Sequence, residues 1–235
     1  MIEAMRRDGA GGRSPALGRN LTFSIVDIVG AAIVGGEFAG RPFPIEADLA
    51  RHFSVSHSVT REAVKMLTAK GLLSARPRQG TMVQPEPAWN LLDPDVMRWL
   101  VERKPSLSLR RQIVELRLAI EPAAAALAAR VATPTAIASM QRILGQLAPG
   151  GDDGVASVGP VIAFHALVLE TSGNPFYARF RDLIAIAVRS SAPLTSGDAL
   201  AEAFETRMRI VKAIRAGNDK DAASAMRTLI ANTAE

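Results

Sequence analysis

Cysteine is missing altogether from this 235-residue chain. Disulfides, thiol nucleophiles and zinc–thiolate centres are therefore excluded, and a reducing compartment suits the chain. Aromatic residues are scarce, at 5%. With alanine plentiful, that scarcity favours close-packed helices over a β-sandwich. No stretch is apolar for long enough to span a bilayer and no secretory leader is visible, so a cytoplasmic protein without membrane contact is expected. Chemistry-bearing constellations are also absent. There is no Ser-His-Asp or Cys-His arrangement, no GxxxxGK[ST] loop and no carboxylate pair beside a candidate nucleophile, so an enzyme is not expected.

What the chain does have is enough apolar residue, 48%, to build buried cores in two modest domains. The start, "MIEAMRRDGAGGRSPALGRN", is polar and glycine-rich and reads as a loose tail over 1–20. "LTFSIVDIVGAAIVGGEF" carries apolar residues at helical spacing and stops near Gly35-Gly36. "IEADLARHF" predicts a short helix from Ile45 to Phe53. The residues "SVS" break it, Ser56 is positioned to cap the next helix, and Gly71 ends that one after Lys70. "LLSARPRQGTMVQP" reads as two short strands around Arg78-Gln79-Gly80. This first region closes at about residue 86.

Residues 87–105 read as a linker helix, with Asp93 as cap and Pro94 at the first helical position. From Ser106 onward no strand pattern occurs. A long helix, with a bend expected at Pro122, is followed by one capped by Thr133. Four more are predicted at about 157–172, 175–191, 199–216 and 219–233. The fold class is thus mainly α: three helices and a β-hairpin, then an all-α bundle over 106–235.

The first region has a chemical bias. Between Arg51 and Thr81 stand Arg51, Arg61, Lys65, Lys70, Arg76 and Arg78 against Glu62 alone. Two helices joined by a tight turn can lay the second in the major groove, and the hairpin then acts as a wing against the backbone. Ser56, His57 and Ser58 fall at the start of the second helix, where side chains reach base edges and phosphate is favoured. A merely solvated basic face is the plain alternative.

"IVGGEFAGRPFPIEADLARHFSVSHSVTREAVKMLTAKGLLSARPRQGTMV" resembles the winged helix-turn-helix of GntR-type bacterial transcription regulators. The carriers are Pro44 and Glu46, the Val55-Ser56 turn, Arg61-Glu62-Ala63, Gly71-Leu72, and Arg78 with Gly80-Thr81. The resemblance implies double-stranded operator DNA as partner, contacted by Ser56, His57, Ser58 and Arg61 and, in the wing, by Arg78, Gln79, Gly80 and Thr81. The family usually has arginine where Ala47 stands and often where His57 stands, so its usual operator preference is not carried over to this chain.

"VELRLAIEPAAAALAAR", "FHALVLETSGNP" and "IVKAIRAGND…AASAM" resemble the FCD effector domain of the FadR-like branch of that family. This implies an antiparallel helical bundle enclosing a small-molecule pocket, in a homodimer. Many such domains hold a divalent metal with one aspartate and three histidines. Here His165 matches the first histidine, Val161 stands at the aspartate, and Arg207 and Leu229 stand at the other histidines. The chain has three histidines in all, two of them in the first region, so no metal and no other cofactor is expected.

Four residues of the bundle are candidates for holding an effector: Arg117, Glu121, His165 and Arg207. Arg117 lies on the shoulder of the face made by Ile113, Leu116, Ile120 and Leu127. It reads either as a carboxylate clamp or as the partner of Glu121 one turn on. His165 has only apolar helical neighbours and no partner carboxylate in view, so it reads as a core or pocket-lining residue able to hydrogen-bond an effector. Arg207 reads as a fixed cation where the family has a metal ligand, or as a surface arginine. "WNLLDPDVMRWL" resembles the linker of sugar-acid catabolism regulators such as galactonate or gluconate repressors, and Trp89 and Trp99 read as packing that linker against a domain. The leading expectation is a ligand-responsive repressor with a small anionic effector such as a sugar acid. The alternatives are a winged protein-interaction module and a metal-independent helical enzyme.

Overall fold

Apolar residues recurring at helical spacing make α1, Arg19–Val34, with Ile25, Val26, Val29 and Ile33 buried along one face. In the computed structural model, which describes residues 19–76, 80–103, 106–148, 158–191 and 197–232, the chain divides into two compact units, Met1–Lys104 and Pro105–Glu235. The expected tail over 1–20 lies almost wholly outside the described residues.

In the first unit α2, Glu46–Phe53, ends at Ser54, whose left-handed backbone (φ 54°) closes the turn. α3, His57–Ala69, buries Thr60, Ala63, Val64 and Leu67 against its neighbours. Ser56 occupies the N-cap position but does not bond the helix backbone. Its hydroxyl meets that of Ser58 instead, at 2.8 Å. Strands β1, Leu73–Arg76, and β2, Gly80–Val83, pair antiparallel with Leu73 opposite Val83 and Arg76 opposite Gly80.

A single 3₁₀ turn, Glu86–Ala88, then leads to α4, Pro94–Glu102. Asp93 caps α4 by accepting from the Asp95 and Val96 amides. The helix packs on α1. Trp99 is 2% exposed, and its indole N–H donates to Asp27 at 2.8 Å. The indole lies so close over Gly30 that a Cβ there would sit 2.2 Å from a ring carbon. Arg98 pairs with Asp27, and Arg103 donates to the Val34 carbonyl. At the other end of α4, the Lys70 ammonium bonds Asp93 and Asp95 at 2.8–2.9 Å. Burial works against that charge, but the two carboxylates hold the Lys70 pKa above its ordinary value. Gly71 (φ +77°) has the carbonyl of Ala88 2.4 Å from where its Cβ would be, so only glycine fits both the conformation and the gap. Residues 84–103 are therefore built into the winged unit. Trp89 turns inward too, its indole N–H donating to the Gln84 carbonyl at 2.9 Å.

The second unit is wound around α5, Leu107–Val131, one continuous helix through Pro122. Ser106 caps it. α6, Pro134–Gly145, is capped by Thr133. α7 spans Val158–Thr171, α10 Gly197–Arg215 and α11 Asp219–Asn232. Ala124, Ala125 and Ala128 have no exposed surface and bring α5 close to its neighbours, α11 and α10 among them. The helix expected over 175–191 is in fact two: α8, Pro175–Ala178, and α9, Arg181–Ser190. Asn174 caps the first turn through the Phe176 amide. The chain then tightens, with Arg179 and Phe180 bonding three residues back. Tyr177 before this break and Phe180 within it pack against the core. Long-range packing sets it, since no glycine or proline stands there.

Candidate nucleic-acid interface and effector cluster

The winged unit presents the start of α3 to solvent. Ser56, His57, Ser58, Arg61 and Lys65 are exposed, while Ala63, Val64 and Leu67 anchor the opposite face. This division follows from the apolar spacing, and it leaves a polar, mainly cationic strip at the helix N-terminus, where backbone amides favour phosphate. Glu46 of α2 reaches Arg61, with Oε2 3.5 Å from Nε. Arg61 is largely solvated and Glu46 half-buried, and at this length the contact is weak in energy and orients the guanidinium more than it fixes it. Sequence reasoning assigned no role to this partner. In the hairpin Gly80 is exposed and Thr81 half-buried. Arg78 and Gln79 lie outside the described residues.

The bundle brings its four candidates together. Arg117 and Glu121 are one turn apart on α5, with Nε donating to Oε1 at 2.7 Å. Glu121 Oε2 is bonded to Nδ1 of His165 on α7, which gives that histidine a carboxylate partner that the sequence did not suggest. Arg117, Glu121 and His165 are 3%, 1% and 2% exposed. Arg207 on α10 is 5% exposed, which overturns the surface alternative for it.

The charges in this cluster are set by burial and by one another. Burial alone would raise the Glu121 carboxyl, but His165 and Arg117 outweigh it and hold its pKa at about 2. Burial pushes the His165 imidazole below its ordinary value, Glu121 opposes this, and Arg117 and Arg207 add repulsion. A neutral ring donating through Nδ1 carries an acceptor lone pair on Nε2. Arg207 is brought down to about 10, by burial first and then by Arg117, and it remains charged at neutral pH. Its Nε is buried without a hydrogen-bond partner, and among the described residues no carboxylate pairs with it. Buried charged donors are rarely left so, because an unmet bond there is costly.

As metal donors these residues fit poorly. One imidazole and one carboxylate are bonded to each other, and two guanidiniums crowd them. Among the described residues no group of three His, Asp or Glu side chains converges. The arrangement instead suits an anion. A surface groove of about 380 Å³ lined by Arg209, Lys212, Asn218, Asp221, Ser224 and Thr228 shares no residue with the cluster.

Comparison with known proteins gives two family matches. Residues 22–83 match the bacterial regulatory proteins of the gntR family, and residues 112–232 match the FCD domain. The galactonate operon transcriptional repressor of Escherichia coli is 31% identical over 218 residues, covering 91% of this chain and 95% of that one. The HTH-type transcriptional regulator YieP of the same organism is 32% identical over 70% of this chain and 73% of its own length. A solved GntR structure from Streptococcus agalactiae shares the fold, with a TM-score of 0.50 at 24% identity, covering 91% of this chain and 98% of that one.

Proposed function

Since the chain belongs to the GntR family of bacterial regulatory proteins and carries an FCD domain, we propose that a small carboxylate, a sugar acid by preference, binds its helical bundle and alters its affinity for operator DNA. The protein is a DNA-binding transcription regulator and not an enzyme. No described helix is long and apolar enough to cross a membrane. It works as a homodimeric repressor in the cytoplasm, each protomer reading one half-site through Ser56, His57, Ser58, Arg61 and the wing.

One observation carries the effector reading: Arg207 is a buried guanidinium whose Nε has no partner. A ligand carboxylate supplies the missing acceptor. A ligand hydroxyl can donate to Nε2 of His165, which suits a polyhydroxylated acid. The similarity to a galactonate operon repressor points the same way. Arg117 and Glu121 hold His165 in place, and no metal takes part, since the fixed cation stands where a metal would otherwise supply charge.

The test is a gel-shift titration on the gene's own upstream DNA at fixed salt, with and without sugar acids. A specific shift reversed by one acid is the expected result. A specific shift that no acid alters would remove the effector reading and leave the DNA-binding role intact.

A further inference from the structure

The cluster buries two guanidiniums and one carboxylate. Glu121 commits one oxygen to Arg117 and the other to His165. Arg117 is thereby matched inside the cluster. Arg207 is matched by no carboxylate among the described residues; it repels Arg117 and disfavours protonation of His165. One positive charge is left over, fixed in the protein and independent of any ion from solution.

We propose that this leftover charge makes the bundle selective for monoanions, so that it binds an aldonic acid and rejects the dicarboxylate of the same carbon skeleton. This rests on the reading of the bundle as a carboxylate site. A first carboxylate neutralises Arg207. A second has no cation to meet, because Arg117 is already paired and its carboxylate partner Glu121 repels the newcomer. The charged and titratable groups facing His165 are Glu121 and Arg117 on α5 and Arg207 on α10. A second charge could be met only by protonating a buried ring crowded by two guanidiniums.

The experiment is calorimetric titration of the full chain at pH 7.5, in chelator, with two matched pairs: galactonate against galactarate, and gluconate against glucarate. Within whichever pair the monoacid binds, the diacid is expected to bind at least roughly tenfold more weakly, the scale of one unpaired buried charge. Glu121→Gln raises the cluster's charge by one, and the preference should narrow or invert, with folding checked by thermal melting. Arg207→Gln should abolish binding of both acids.

A diacid binding as tightly as its monoacid would overturn the selectivity and leave the carboxylate site standing. Monoacid binding that vanished in chelator and returned with added Zn²⁺ would overturn the fixed-cation basis. No heat from any of the four acids, with the protein folded, would remove the carboxylate reading and the selectivity with it.

Discussion

Glu121 and His165 stand 44 positions apart in the chain and share one buried hydrogen bond, so a residue of α5 holds the ring of α7 in place. The ring's burial, which this bond only partly offsets, has a consequence for acid stability. Above pH about 6.5 the imidazole is neutral in both folded and unfolded states. Below that value the unfolded ring takes up a proton first, because burial has lowered the folded pKa. Stability is therefore lost as pH falls from about 6.5 toward the lowered folded value. Urea midpoints measured from pH 7.5 to 5 should fall for the wild type and stay flatter for His165→Gln.

Glu121 acts at lower pH. Its folded pKa lies at about 2 instead of 4.5, so the stability it contributes is complete above 4.5 and is lost as pH falls toward 2. Glu121→Gln leaves Arg117 buried without its partner and should cost about 3 kcal/mol at pH 7. The gap from wild type should shrink between pH 4.5 and 2, as read by denaturant unfolding at each pH.

Arg207→Met should separate stability from function. An unpaired buried guanidinium opposes folding, so its replacement should stabilise the effector-free protein by roughly 1–3 kcal/mol. Thermal melting should show a midpoint several degrees higher, and any effector-dependent rise should disappear. A lower midpoint would mean that Arg207 has a partner that stabilises the fold.

Arg61→Ala should weaken operator binding about tenfold or more and reduce the salt dependence of what remains, since a cation at α3 is lost. Glu46→Gln should change affinity far less, because its contact with Arg61 is long and solvated. Fluorescence anisotropy at two or three salt concentrations checks both.

Gly30→Ala should damage the winged unit, because its new methyl would stand 2.2–2.6 Å from the Trp99 ring. The expected cost is about 1–3 kcal/mol, and Trp99 fluorescence should redden as the indole leaves its packed position. Trp99→Phe in the same background should recover part of the loss by shrinking the ring system.

Much of the fold was legible because its signals are local. Asp93 and Thr133 cap their helices as their positions before proline suggested, and Gly71 ends α3. Where distant contacts decide, sequence reading fell short. Tyr177 and Phe180 break the helix at 179–180 through packing that no residue there announces. Ser56 turns to Ser58 and not to the backbone, although it stands at the N-cap position. The Arg117–Glu121 pair follows from four-residue spacing, whereas the Glu121–His165 bond depends on how α5 meets α7. The burial of Arg207 came into view only with the bundle assembled, since its helix also carries Arg209, Lys212 and Arg215.

The packing of α4 bears on how such a reader can be exchanged between proteins. The gntR match ends at residue 83, yet the physical unit runs on through Trp99 and Arg103, and Lys70 at the end of α3 is tied to Asp93 and Asp95. A chimera joined at residue 84 would replace the indole over Gly30 and both counterions of Lys70 with another parent's residues. A chimera joined after residue 103 keeps every one of these contacts within one parent, so recombination, natural or engineered, should succeed at the later seam and fail at the earlier one.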